Sequence, residues 1–149
     1  MTHEYIPELA GNIIYNTVDG CYVLFEKYFI TKKEDYYVAY RHRDDKIYEF
    51  SSLRNAATWS ILDSNNKIFE SSRVLMLDAS ITSVKVAKQI HTKLQFKGDK
   101  SQREISFNKL QQDLADHRRF QYELDKYIIL AKQCQQRGFE NELKRTTRK

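Results

Sequence analysis

The stretch Lys46-Ile47-Tyr48-Glu49-Phe50-Ser51-Ser52-Leu53-Arg54-Asn55-Ala56-Ala57-Thr58-Trp59 decides the fold, because the chain changes its hydrophobic period inside it. Up to Phe50 the apolar positions alternate and are rich in aromatic and β-branched residues, the pattern of strands. From Ser51 onward the chain is free of proline, poor in glycine and spaced for helices. The side-chain oxygens of Ser51 and Ser52 suit them to cap a helix. That helix is expected from about Leu53 to Leu62, with Leu53, Ala56, Ala57 and Trp59 on its inward face.

Reading backward from Phe50, Lys46 to Phe50 is a short last strand and Arg43-Asp44-Asp45 a turn. Tyr36 to His42 is a strand, preceded by the polar turn Thr31-Lys32-Lys33-Glu34-Asp35. Cys21 to Ile30 is the most apolar run and is expected as one strand. Its two faces are Val23, Phe25 and Phe29 against Tyr22, Leu24, Tyr28 and Ile30, so both faces of the sheet should be covered. Asp19-Gly20 closes a hairpin with Ile13 to Val18, because a type I′ turn needs positive φ at both central residues. Met1 to Asn12 is a lead-in punctuated by Pro7 and Gly11.

Reading forward, Asp63-Ser64-Asn65-Asn66 interrupts the helical pattern, and a second helix follows from about Lys67 to Leu77. Asp78 and Ser80 offer a new start, so a third helix is expected to Phe96, with Ile81, Val84, Ala87, Ile90 or His91, and Leu94 on one stripe. Gly98 ends it and Ser101 opens a fourth helix, Gln102 to Arg137, stopped by Gly138. In that helix Phe107, Leu110, Leu114, His117, Gln121, Leu124, Ile128 and Ala131 alternate steps of three and four, a heptad seam with two polar members. A second stripe, Phe120, Leu124, Tyr127, Ala131 and Cys134, widens it. The fold class is therefore α+β. An N-terminal antiparallel β-meander of three or four strands is followed by about four helices ending in a long helical hairpin. The 149 residues form a single domain: residues 1–50 strand-rich, 51–138 helical and 139–149 a basic tail.

Ten tyrosines, eight phenylalanines and a 41% hydrophobic fraction are enough for a packed core. Cys21 and Cys134 lack metal-site spacing and read as two free buried thiols, with a disulfide between them the alternative. No segment reaches the length of a membrane span, and MTHEYIPEL lacks signal-peptide character. The expected location is the cytoplasm. Residues 1–50 carry six Lys/Arg against nine Asp/Glu; the remainder carries 19 against 11. Such asymmetry suits a nucleic-acid face, or docking of one copy on another.

Chemistry is sparse. Asp113 and His117 share a helix face, but two ligands do not make a metal site. Asp44-Asp45 fits turn chemistry better than a cation site. Four glycines cannot build a phosphate-cradling loop, and no nucleophile stands beside a base. Neither an enzyme nor a cofactor is expected. The preferred class is a non-enzymatic interaction or assembly protein that self-associates, most simply as a homodimer. Its candidate interface residues are Tyr22, Leu24, Tyr28, His117 and Gln121. The alternative is nucleic-acid binding through Tyr37, Tyr40, Arg41 and Arg43 on a strand, with Arg118 and Arg119 on the basic helical half.

The runs Phe50-Ser51-Ser52-Leu53-Arg54-Asn55-Ala56-Ala57-Thr58-Trp59-Ser60-Ile61-Leu62-Asp63 and Lys132-Gln133-Cys134-Gln135-Gln136-Arg137-Gly138-Phe139 carry a resemblance. They are similar to small uncharacterised proteins of T4-like marine phages, especially cyanophages. The resemblance implies a viral origin, expression in the cytoplasm of a bacterial host, and an assembly, packaging or host-takeover role. It implies no catalytic residues. Candidate partners are thus a second copy, a phage or host protein, or nucleic acid, and no membrane.

Overall fold

The computed structural model describes residues 13–16, 20–42 and 44–147. Five strands, β1 Ile13–Asn16, β2 Cys21–Leu24, β3 Tyr28–Lys32, β4 Tyr37–Arg41 and β5 Tyr48–Phe50, form one antiparallel sheet in sequential order. Three helices follow: α1 Leu53–Ser64, α2 Ile68–Lys97 and α3 Lys100–Thr147. The chain is α+β, with its change of period after Phe50. The lead-in to Asn12, and Asp19 of the first turn, lie outside the described residues. Gly20 sits at φ +66 beside the Asn16–Cys21 pair that closes the first hairpin.

The fifth strand comes from dividing the run Cys21 to Ile30. Lys27 N–H donates to the Leu24 carbonyl, while Phe25 and Glu26 take φ 56° and 59°. Two central residues with positive φ are what a type I′ turn demands. Neither is Gly or Asn, so the usual sequence mark of that turn is missing. The charged pair Glu26-Lys27 inside an apolar run was the available signal. The intervening three residues keep Tyr22, Leu24, Tyr28 and Ile30 on one face, since Leu24 pairs with Tyr28 and Tyr22 with Ile30.

That face, with Tyr37, Ala39 and Phe50, is buried beneath α1. Trp59 lies at the centre of the contact, its ring centroid 5.8 Å from Tyr28, 4.8 Å from Tyr48 and 5.8 Å from Phe50. α1 is not amphipathic in the expected sense. Asn55 through Leu62 are all buried, because the helix lies between the sheet and the α2–α3 hairpin. Its polar members turn inward on the helix itself: Thr58 Oγ1 donates to the Arg54 carbonyl at 2.7 Å and Ser60 Oγ to the Ala56 carbonyl at 2.9 Å. Ser52 caps it, its Oγ accepting from Asn55 N–H. Asn65 closes it, and Asn66 turns the chain at φ 61°.

The helix count is three, not four, because there is no break at Asp78. The residue read as a new helix start lies inside α2 and is bonded to the junction ahead of a different helix. Its carboxylate accepts from Ser51 N–H at 3.0 Å, Ser51 Oγ at 2.8 Å and Asn55 Nδ2 at 2.7 Å, all at the start of α1. The hairpin bend is made by Gly98 and Asp99. A Cβ on Gly98 would stand 2.8 Å from the Leu94 carbonyl oxygen, so a side chain does not fit. Asp99, rather than Ser101, opens α3: Asp99 Oδ1 accepts from Gln102 N–H at 2.8 Å and Gln102 Oε1 from Asp99 N–H at 3.1 Å, a reciprocal capping box. The backbone of α3 stays helical through Gly138 to Thr147, where a stop and a tail were expected. A single glycine costs a helix only about 1 kcal/mol, which neighbouring helical residues can offset.

Replacing Trp59 by Ala should destabilise the protein by about 3–5 kcal/mol, read from urea denaturation. An unchanged curve would place the ring outside the core. Asp78→Ala strands the buried Asn55 amide and frees the Ser51 donors, and should cost about 1–3 kcal/mol in the same measurement. A cost within error would deny Asp78 its tethering role.

Candidate interaction site

The sequence-derived nucleic-acid residues do not converge on one face. Tyr37 and Tyr40 are three positions apart on β4 and point to opposite sides of the sheet. Tyr37 is buried in the core. Tyr40 is half-buried and stacks on Phe29, with ring centroids 5.4 Å apart. The partly exposed Arg41 side chain is paired with two carboxylates: Asp44 Oδ2 at 2.7 Å from Nη2 and Asp63 Oδ2 at 3.3 Å from Nη1. Asp63 also accepts from the Tyr28 hydroxyl at 2.5 Å. Burial first, and then the Asp63 carboxylate, push the Tyr28 phenol well above its ordinary range. Burial works against the Arg41 charge, but Asp63 and Asp44 outweigh it and raise its pKa. The Asp44 carboxyl is lowered, chiefly by the Lys46 N–H bond and then by Arg41. This Tyr28–Asp63–Arg41–Asp44 chain ties the end of α1 to the sheet and leaves the Arg41 charge matched. Arg43 lies outside the described residues. Arg118 and Arg119 are exposed on α3, where Arg119 meets Asp116 at 3.4 Å and covers the Phe120 ring.

The assigned interface residues need correction as well. Tyr22, Leu24 and Tyr28 are buried within the chain beneath α1, so they present no surface to a partner. His117 and Gln121 are half-buried on α3. Gln121 Nε2 donates to Asp125 Oδ1 on its own helix. His117 meets the field of Lys85 and Lys88 from α2. Its polar character therefore marks the seam between α2 and α3 of one chain.

That seam divides into two halves. Near α1 it is apolar, built from Val74, Leu77 and Ile81 on α2 and Leu124, Ala131 and Cys134 on α3. These α3 positions follow the second sequence stripe. Toward the bend the seam turns polar. His91 Nδ1 lies 2.6 Å from Asp113 Oδ2, and Gln95 Nε2 donates to the Arg103 carbonyl at 2.8 Å and to Ser106 Oγ. Ser106 is buried there, while its neighbour Phe107, the expected seam member, is exposed. Arg73 Nε bridges to Glu123 Oε1 at 2.9 Å nearer the core. Asp113 thus pairs with His91 across the seam. Among the described residues, no three His, Cys, Asp or Glu side chains gather as metal ligands. Cys21 and Cys134 are free and buried.

Val84, Ala87, Leu94, Leu110 and Leu114 are half-buried in the distal arm, but other apolar residues of the arm lie outside. Val86, Ile90, Phe96, Ile105 and Phe107 are all exposed, Phe96 to 84%. At the tip an open groove of about 500 Å³ is lined by Gln95, Lys100, Arg103, Glu104, Phe107 and Asn108. It pairs two cations and one carboxylate with an aromatic ring and holds no nucleophile beside a base. The arm thus presents apolar and charged side chains side by side on exposed surface. No sequence periodicity marked it, because a stripe on a helix does not say which stripe a neighbour takes.

Burial, and then the charges of Lys88 and Lys85, lower the His117 pKa below its ordinary 6.5. The unfolded chain then binds this proton more readily than the folded one. The stability associated with neutral His117 is complete above about pH 6.5 and falls as pH drops through that value toward the lower folded pKa. Thermal melts from pH 8 to 5 should show wild type losing more stability than His117→Gln. Equal losses would remove His117 from the linkage. Among the described residues no helix is long and apolar enough to cross a membrane. In comparisons with known proteins, the chain matches no family model, no curated protein and no solved structure.

Proposed function

We propose that this chain is a non-enzymatic interaction or assembly protein that self-associates through its helical hairpin. The observation that carries this reading is the apolar surface left outside the core on the hairpin. Phe69, Met76, Val86, Ile90, Phe96 and Phe107 are each about half exposed or more. Monomers seldom expose contiguous apolar surface beyond a few hundred Å² without a partner for it. A viral assembly role in a bacterial cytoplasm, implied by the resemblance to small marine-phage proteins, is in keeping with such a surface. The polar side chains add support from the other side. Arg41, Arg73 and His91 are engaged by Asp63, Glu123 and Asp113 within the chain, which suits a scaffold better than a reactive centre.

Sedimentation over the micromolar range should give a mass above the 17.8 kDa of one chain, rising with concentration. A monomer throughout that range would defeat the self-association reading.

A further inference from the structure

Resting on that reading, we infer that the contact is the outward face of α2, packed antiparallel against the same face of a second copy. α2 gives one side to α1 and α3 through Val74, Leu77 and Ile81. On its other side a second heptad spacing runs through Phe69, Ser72, Met76, Ala79, Ser83 and Val86, and Ile90 closes it. All of these are exposed, Phe69 to 70%, Met76 to 48%, Val86 to 52% and Ile90 to 53%. The stripe extends about 32 Å along the helix.

The stripe carries no charge from Phe69 to Ile90, on a chain in which 30% of residues are charged. The flanking positions Leu75, Ser80, Thr82, Ala87 and Gln89 are uncharged too, and Arg73 is turned to Glu123. Nucleic acid, an anionic lipid surface or an acidic partner would each need cations on this face. A neutral helix face matches a neutral helix face, and a second copy supplies one by a two-fold axis.

Orientation follows from the ends. The same spacing continues into Lys93 and Lys97. Parallel packing would set each lysine against its own symmetry mate and align the helix dipoles; antiparallel packing separates the lysines and opposes the dipoles. Residue sizes agree. A two-fold beside Ala79 sets Met76 against Ser83 of the second copy, Ser72 against Val86, and Phe69 against Ile90. Large then meets small near the axis, where the small residues let the two backbones approach.

Met76→Lys and Val86→Lys each place a charge in the stripe, twice per dimer, at positions exposed in the single chain. Both should raise the dimer dissociation constant roughly tenfold or more, with circular dichroism unchanged. Ile129→Lys, at an exposed position on α3, should leave it unchanged. A mixture of Phe69→Cys and Ile90→Cys chains should cross-link with a short bis-maleimide, while neither chain links to itself. If wild type and both stripe variants dimerise alike, this surface is wrong and the self-association reading stands. If Phe69→Cys links to itself, the antiparallel arrangement is wrong. If wild type is monomeric, both readings fall.

Discussion

The carboxylate of Asp78 is the constraint on which the arrangement of layers depends. It sits in the interior of α2 and is buried, yet its three donors all belong to the junction between β5 and α1. A buried acceptor of this kind is costly to leave unsatisfied, so its partners fix the geometry closely. The bond to Ser51 N–H and the bond to Asn55 Nδ2 hold the first turn of α1 against α2. An anionic group also suits the positive end of the α1 dipole. With that end anchored, the other end of α1 is held to the sheet by Asp63, through Tyr28 and Arg41. The central helix is thus tied at its start to the hairpin and at its finish to the strands.

Those two polar ties explain how α1 can be buried nearly all round. Trp59 faces the aromatic rings of the sheet, while Ala56, Ala57 and Ser60 are small enough for close packing on several sides. Core formation is spent on this middle layer. α2 and α3 continue well past it, and their mutual contact changes from apolar residues at Leu77 and Leu124 to the pairs His91–Asp113 and Gln95–Ser106. Polar members of a helix seam set its register at a cost in stability. In the distal arm Leu94, Leu110 and Leu114 are half-buried, while Val86, Ile90, Phe96, Ile105 and Phe107 face solvent. Of the groups that first suggested binding chemistry, Arg41 and Asp113 are engaged within the chain, while Arg118 and Arg119 stay exposed on α3.

Much of this architecture follows from local pattern alone. The alternation before Phe50, the serine cap at Ser52, the Asn65-Asn66 break and the close fit at Gly98 each act within a few residues, so the α+β order and the helical hairpin are written in the chain. The C-terminal stripe of α3 is legible for the same reason, since Leu124, Ala131 and Cys134 recur at helical spacing. What tertiary structure decided lies where one signal serves two purposes. Asp78 reads as a helix start because aspartate favours caps, yet its carboxylate ties the interior of α2 to the Ser51 and Asn55 donors beside the start of α1, a helix distant in sequence. Phe25 and Glu26 adopt positive φ without the residues that announce it, because strand pairing on both sides requires the turn. Tyr22, Leu24 and Tyr28 show an apolar face, and only packing says that α1 rather than a partner covers it. Both Ser106 and Phe107 lie near the seam, and the hydrogen bond from Gln95 chooses Ser106. Periodicity reports that a helix has faces; which face is core and which is surface depends on the neighbours that the whole fold brings to it.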